Sequence, residues 1–378
     1  MKSRKLFILT LLPLLMGCTP QSIDGDVTIT DMQGRSVTYN SGKVSRVICI
    51  GAGALRYYSY IGDVNNLIAV EGIDSASTFG VGQALRPYYM ANYDVLKNLP
   101  VVKQGGPMNQ TVSQEEAEKI LEANPDIIIS FLSAENNNDL QQKIQIPVVG
   151  LTQGSDGIFD EKTQDSLKLL GKIFKRTSRA DELVNYVNTC KSDFNSLTMT
   201  TESYYCGGIG NWGQTSMLGS MIGFPIFKYA KVNDVVSTIG LKDKDGNAVT
   251  RGQGTADLER ILAVNPDKIF MDTAGINGFI SDYQKPGNAE KYDALKAFEN
   301  GETYLLMPYN AYYSNLEIQL MSTYYVASVA HSNFIIDLEQ KMNEITNKFL
   351  GKDLYNEIKE HQYGMGGYQK VNLKELVE

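Results

Sequence analysis

The stretch that decides the fold is Ser178-Arg-Ala-Asp-Glu-Leu-Val-Asn-Tyr-Val-Asn-Thr-Cys-Lys-Ser-Asp-Phe-Asn-Ser-Leu197. Apolar residues recur in it at intervals of four and three, which predicts one buried stripe along an α-helix. The stripe consists of Leu183, Val187, Cys190, Phe194 and Leu197. Ser178, followed by Asp181, is typical of a capping box at a helix start. About twenty residues at roughly 1.5 Å each predict a rod of about 30 Å.

Similar sequences lie on both sides of this helix. Residues 117–129 read AEKILEANPDIII, and residues 258–270 read LERILAVNPDKIF. Each is typical of a short helix closed by Asn-Pro-Asp and followed by a buried strand. The alternative is that helix-Asn-Pro-Asp-strand is a common connection in α/β proteins and occurs twice here by chance. The arrangement instead favours two comparable α/β lobes joined by one rigid helix.

The domain boundaries follow from this arrangement. We expect a signal peptide at 1–17, a tether at 18–26, a first α/β lobe at 27–176, an interlobe helix at 177–198, and a second α/β lobe with C-terminal helices at 199–378.

The amino terminus indicates the compartment. A basic start, Met1-Lys-Ser-Arg-Lys5, precedes an apolar run from Leu6 to Met16 that is too short to span a bilayer. It ends in Leu15-Met-Gly-Cys18, which resembles a bacterial lipobox. The resemblance implies lipidation of Cys18 and a membrane-tethered protein at the cell envelope, facing the periplasm or the exterior. An ordinary secretory signal or an uncleaved anchor is the alternative.

The composition excludes several functions. The formal net charge is −8, and loss of the three cations in residues 1–17 leaves −11. This balance disfavours nucleic acid as a partner. Only two histidines occur, Cys49 and Cys206 lie in apolar runs, and Cys190 lies on the buried stripe, so we predict no metal site. No catalytic set and no nucleotide-binding pattern is present, and no cofactor is expected.

Candidate ligand-binding residues follow the predicted strands. In the first lobe, Arg56 lies in a glycine-rich turn into a helix, where it is either a solvated surface group or a clamp for an anion. Arg86 and Tyr88 lie in a long irregular segment between two predicted strands. In the second lobe, Trp212 follows a glycine-flanked strand, and Tyr309, Asn310 and Tyr312 follow another.

Strands that alternate with helices predict an α/β fold of two Rossmann-like lobes with mostly parallel sheets. Ligands bind outside the carboxyl ends of parallel strands, and the seven candidates lie at such ends. We therefore expect a ligand cleft between the lobes.

At this point the chain resembles a known family. The lipobox, a hairpin ending in Asp31-Met-Gln-Gly-Arg35, the paired Asn-Pro-Asp units and one interlobe helix are similar to the helical-backbone (class III) periplasmic substrate-binding lipoproteins. These serve ABC importers of ferric siderophores, haem and cobalamin. The run Pro308-Tyr-Asn-Ala-Tyr-Tyr-Ser-Asn-Leu-Glu317 is similar to the branch that binds iron complexes.

The resemblance implies particular partners. Glu118 and Glu259 match the glutamates with which the family engages arginines of the permease dimer, and such exposed carboxylates could form charge-assisted pairs. The ligand implied is a preassembled iron complex such as a siderophore chelate, held by aromatics and arginines. Few arginines occur in the second lobe's loops, which argues against a highly anionic ligand.

Other interpretations stay open at the level of sequence. Cobalamin or haem could replace the siderophore in a binding protein of the same type. A surface lipoprotein that binds a partner protein is a second class, and an enzyme with two similar lobes is a third, for which no catalytic set was found.

Overall fold

The computed structural model describes residues 25–75, 86–106, 109–210, 216–361 and 366–377. The strands of the first lobe are β1 Asp26–Thr30, β2 Ser36–Asn40, β3 Val47–Ile50, β4 Leu67–Glu71, β5 Val101–Lys103, β6 Ile127–Ser130 and β7 Val148–Gly150. Strands β1 and β2 form an antiparallel hairpin, and the other five form a sheet in which all strands are parallel, in the order β5-β4-β3-β6-β7.

Helices cover both faces of this sheet, as the alternation of strands and helices predicts. They are α1 Ala54–Ile61, α2 Pro87–Leu96, α3 Gln114–Ala123, α4 Ala134–Ile144 and α5 Glu161–Ile173. The hairpin is fastened to the sheet edge by Asp31 and Arg35, which form a buried ion pair of 3.0 Å. Asp31 accepts the Gly150 N–H, and Arg35 donates to the Val148 carbonyl.

The interlobe helix, α6, runs from Thr177 to Asp193. The five stripe residues predicted to be buried are buried, although Phe194 and Leu197 lie just beyond the helix end. The predicted capping box at Ser178 is wrong. The N-cap is Arg176, two residues before Ser178, and it makes no side-chain cap, so Ser178 lies inside the first turn.

The strands of the second lobe are β8 Ser203–Gly207, β9 Gly219–Ile222, β10 Asn233–Asp234, β11 Leu241–Lys242, β12 Ala248–Val249, β13 Gly252–Thr255, β14 Lys268–Asp272, β15 Thr303–Leu306 and β16 Gln369–Lys370. Five of them form a sheet in the order β10-β8-β14-β15-β16, parallel except for β16. A four-stranded antiparallel sheet, β12-β11-β13-β9, accompanies it and was not predicted from the sequence.

The helices of the second lobe include one that is buried on nearly all sides. They are α7 Pro225–Tyr229, α8 Val236–Ile239, α9 Leu258–Val264, α10 Ile276–Tyr283, α11 Asn288–Asp293, α12 Lys296–Glu299, α13 Leu316–Ala330, α14 Leu338–Leu350 and α15 Tyr355–His361. Helix α13 is buried from Leu316 to Ala327, and its polar residues Glu317, Gln319, Ser322 and Thr323 are buried along with the apolar ones. Its Gln319 bonds to the first lobe at Ile158 N–H and the Asp156 carbonyl, so α13 joins the lobes together with α6.

The two Asn-Pro-Asp units adopt the same structure. Asn124 and Asn265 both end a helix in the left-handed conformation, with φ of 53° and 51°. Asp126 accepts the N–H groups of Ser45 and Arg46 ahead of β3, and Asp267 accepts the Ser203 N–H at the start of β8. In each lobe the aspartate therefore ties its strand to the neighbouring parallel strand.

Candidate ligand-binding cleft

A cleft of about 620 Å³ lies between the lobes, outside the carboxyl ends of their parallel strands. The first lobe contributes Ala52, Ile73, Gln110, Phe131, Gln153, Gly154 and Ser155. The second lobe contributes Met221, Gln253, Tyr309, Asn310, Tyr312, Tyr313 and Ser314. The cleft thus combines aromatic and apolar faces with side-chain amides and hydroxyls, in a size range that suits a small molecule.

Three of the seven candidate residues line this cleft, namely Tyr309, Asn310 and Tyr312. They belong to a tight segment, residues 309–315, which we call the tyrosine loop. Tyr312 and Tyr313 both have positive φ, at 50° and 79°. Bulky residues seldom adopt this conformation, which costs of the order of 1–3 kcal/mol each and persists only where surrounding contacts enforce it.

Arg56 supplies those contacts from the other lobe. It is fully buried, and its guanidinium donates to the carbonyls of Ala311, Tyr312 and Ser314 and to Asn315 Oδ1, at 2.5–3.2 Å. Its guanidinium carbon also lies 4.7 Å from the centre of the Tyr88 ring. Of the two roles considered for Arg56, the structure excludes a solvated surface group. The residue does not line the cleft and instead holds the tyrosine loop in place.

Arg86 and Tyr88 lie behind the cleft wall and share one carboxylate. Arg86 Nη1 lies 2.6 Å from Asp74 Oδ1, and the Tyr88 hydroxyl donates to the same oxygen at 2.7 Å. All three side chains are buried. Burial raises the pKa of Asp74, and the cation of Arg86 opposes that rise. Neither Arg86 nor Tyr88 contributes to the lining of the cleft.

Glu71, the last residue of β4, links the first lobe to the tyrosine loop. Its Oε2 accepts the Tyr312 hydroxyl at 2.5 Å and the Gly51 N–H at 3.1 Å, while its buried Oε1 has no hydrogen-bond partner among the described residues. Burial raises the pKa of Glu71 to about 7, since the charged form is poorly solvated there.

Asp272 has the corresponding position in the second lobe, at the end of β14. Its oxygens accept the N–H groups of Tyr309 and Ala274 at 2.8 and 2.9 Å. Burial raises the pKa of Asp272 to about 7, and these two hydrogen bonds partly offset the rise. A carboxyl group therefore lies beneath the tyrosine loop on each side.

Sequence reasoning missed several lining residues. Phe131 and Gln153 follow β6 and β7 within three residues, so the rule applied to the other strand ends would have found them. Met221 and Gln253 come from the antiparallel sheet that was not anticipated. The remaining ligand candidate, Trp212, lies outside the described residues, as does Cys18.

The matched glutamates occupy equivalent exposed positions. Glu118 lies on α3, where its Oε1 accepts from Gln114, and Glu259 lies on α9, where it pairs with Lys291 at 2.5 Å. Each precedes its Asn-Pro-Asp unit by the same number of residues.

In the part of the chain that the structure describes, no three His, Cys, Asp or Glu side chains are grouped so that they could hold a metal ion. The helices within the described ranges are too short or too polar to cross a bilayer.

Comparison with known proteins agrees with this architecture. The sequence profile described as "periplasmic binding protein" matches residues 54–300. A periplasmic solute-binding protein from Veillonella parvula is similar in structure, with a TM-score of 0.64, 15% identity, and coverage of 89% of this chain and 96% of that one. None of the curated protein sequences matches the chain significantly.

Two further similar structures belong to proteins that are named for what they bind or transport. The molybdate periplasmic binding protein MolA of Haemophilus influenzae, bound to molybdate, has a TM-score of 0.61 and 15% identity, and covers 87% of this chain and 99% of that one. An ABC-type Fe3+-hydroxamate transport protein from Saccharomonospora viridis has a TM-score of 0.50 and 16% identity, with coverage of 82% and 99%. At these identities the likeness establishes the two-lobe fold.

Proposed function

Because this chain belongs to the periplasmic binding protein family, we propose that it captures an iron complex in the cleft between its lobes and delivers it to an ABC permease. Members of this family act outside the cytoplasm, where they bind substrates that are then transported, and they are not enzymes. The observation that carries the proposal is the cleft itself, which both lobes line with aromatic rings and side-chain amides at their strand ends.

The choice of an iron complex rests on several supports. The tyrosine loop carries the sequence that is similar to the iron-complex branch, and it forms one wall of the cleft. One protein of similar structure is described as part of an Fe3+-hydroxamate transport system. A free metal ion would need a cluster of donors, and none is present among the described residues. Cobalamin or haem is the alternative ligand for a cleft of this kind.

We further propose that the protein is tethered to the membrane through lipid on Cys18, followed by the polar tether 18–26. The lipobox supports this anchor. Substitution of Cys18 would then release the protein from the membrane fraction without changing the folded lobes.

Docking to the permease dimer is assigned to Glu118 and Glu259. Reversing both charges, with Glu118→Lys and Glu259→Lys, is expected to reduce uptake to background because each carboxylate would lose its arginine partner and repel it instead. Affinity for the ligand should stay within about twofold, since neither residue lines the cleft. Uptake of radiolabelled iron chelate by cells, together with calorimetric titration of the purified protein, measures both quantities.

The matched control is the pair Glu135→Lys and Glu290→Lys, which changes the net charge equally at exposed glutamates outside the two repeated units. This control should transport normally. Normal uptake by the Glu118/Glu259 variant, or equal loss in the control, would refute the docking assignment.

A further inference from the structure

The described residues that line the cleft carry no formal charge. Among the described residues that line it, none is Lys, Arg, Asp, Glu or His. The polar groups are instead the amides of Gln110, Gln153, Gln253 and Asn310, together with hydroxyl groups. The internal segments outside the described residues, 76–85, 107–108, 211–215 and 362–365, contain no ionisable Lys, Arg, Asp, Glu or His by sequence. They therefore cannot supply a counter-charge.

The cations behind the lining are matched by acidic groups. Arg86 forms its ion pair with Asp74, and Glu317 lies within electrostatic reach of Arg56. Lys103 donates to the Asn109 carbonyl, has Glu116 at 3.9 Å and does not line the cleft. The two carboxyl groups beneath the tyrosine loop, Glu71 and Asp272, add no positive charge. The wall as a whole thus presents no surplus of positive charge to a ligand.

One exposed cation touches a lining residue. Arg251 donates to Ser155 Oγ across the two lobes, but it is not part of the lining. Its guanidinium is exposed to solvent, where screening weakens its effect on a bound ligand.

We propose that the cleft selects an electrically neutral ligand and rejects anionic ones, an inference that rests on the proposed function. The chemical class is an uncharged chelate whose carbonyl and amide groups pair with the glutamine and asparagine amides, and whose apolar surface packs on Phe131, Met221 and the tyrosines. Moving a multiply charged anion out of water without a neutralising cation is strongly unfavourable, whereas a neutral chelate loses little solvation free energy. The cleft therefore discriminates by charge before it discriminates by shape.

Calorimetric titration with two ferric chelates of similar size tests this proposal. A ferric trihydroxamate is uncharged, because three singly charged hydroxamates balance Fe3+, whereas a ferric tris-catecholate is a trianion. We expect the trihydroxamate to bind at least about a hundredfold more tightly than the tris-catecholate. Equal or tighter binding of the tris-catecholate would overturn the proposal.

Cobalamin, haem and molybdate complete the panel and separate this inference from the proposed function. Binding of uncharged cobalamin with no binding of either iron chelate would overturn the iron-complex function and leave the charge inference standing. Preferential binding of molybdate, or of haem with its two carboxylates, would overturn the inference. So would failure of every uncharged probe to bind.

A substitution that adds charge provides a second test. Gln253→Arg places a cation in the lining, and it is expected to improve the affinity for the tris-catecholate at least about tenfold relative to the trihydroxamate. The matched control is Thr255→Arg, which adds the same charge at an exposed position of the same strand outside the lining. Unchanged selectivity in Gln253→Arg would contradict the proposal.

Discussion

Replacing Arg56 by methionine is expected to lower the free energy of unfolding by about 3–5 kcal/mol and to reduce ligand affinity strongly. The guanidinium bonds to three carbonyl groups of the tyrosine loop and to Asn315, all from the opposite lobe. Methionine fills a similar volume but leaves those acceptors unpaired and removes the charge near buried Glu317. Urea unfolding followed by circular dichroism, and calorimetric titration at a temperature where the variant is folded, measure the two effects.

Two controls separate anchoring from a general loss of charge. Arg260→Met removes an exposed arginine and is expected to cost less than about 0.5 kcal/mol. Arg56→Lys keeps the charge but loses the planar fork, so it should recover part of the stability without restoring full affinity. A stability loss below about 1 kcal/mol in Arg56→Met, with ligand affinity unchanged, would contradict the anchoring role.

The second large effect is a pH dependence centred on Glu71. Its pKa is raised to about 7 by burial, so the folded state holds the proton over a range in which the unfolded state has released it. The contribution of Glu71 to the free energy of unfolding is therefore fully present below the unfolded pKa of 4.5. It decreases as the pH rises and is lost above the folded pKa of about 7. The shift corresponds to about 3 kcal/mol, an upper bound for the loss.

Glu71→Gln tests this, because the amide resembles the protonated carboxyl and can still accept from Tyr312 and Gly51. The free energy of unfolding of the variant minus that of the wild type should increase by up to about 3 kcal/mol from pH 4.5 to pH 8. Urea unfolding at several pH values gives this difference directly. Asp272 contributes a dependence of the same sign to both proteins, and Glu290→Gln serves as an exposed control. A difference between variant and wild type that does not change with pH would show that Glu71 titrates normally.

The features that sequence predicted well depend on local patterns. The stripe from Leu183 to Leu197 has helical spacing, and the runs 47–50 and 127–129 are apolar throughout, so their burial follows from composition alone. The apolar run 303–306 likewise predicted that Tyr309, Asn310 and Tyr312 follow the end of a strand, and they do. Both rest on residues that are neighbours in the chain.

The features that were missed depend on contacts between distant residues. Strands β9, β11, β12 and β13 are two to four residues long, and glycine-rich segments such as Gly252–Thr255 show no alternation to detect. The acceptors bound by Arg56 come from residues 311–315, so no local pattern could show that it anchors the tyrosine loop instead of facing a ligand. A polar residue at a strand end can therefore be located from sequence, while its orientation cannot.

If the proposed function and the charge selectivity both hold, a neutral iron chelate binds between the two lobes. Anomalous scattering from iron in crystals of the protein grown with a ferric trihydroxamate tests it most directly, because it locates the metal without assuming a binding site. We expect one strong peak inside the cleft, between Gln153 of the first lobe and Tyr309 of the second. A peak on the outer surface of either lobe, with the cleft empty, would contradict the account.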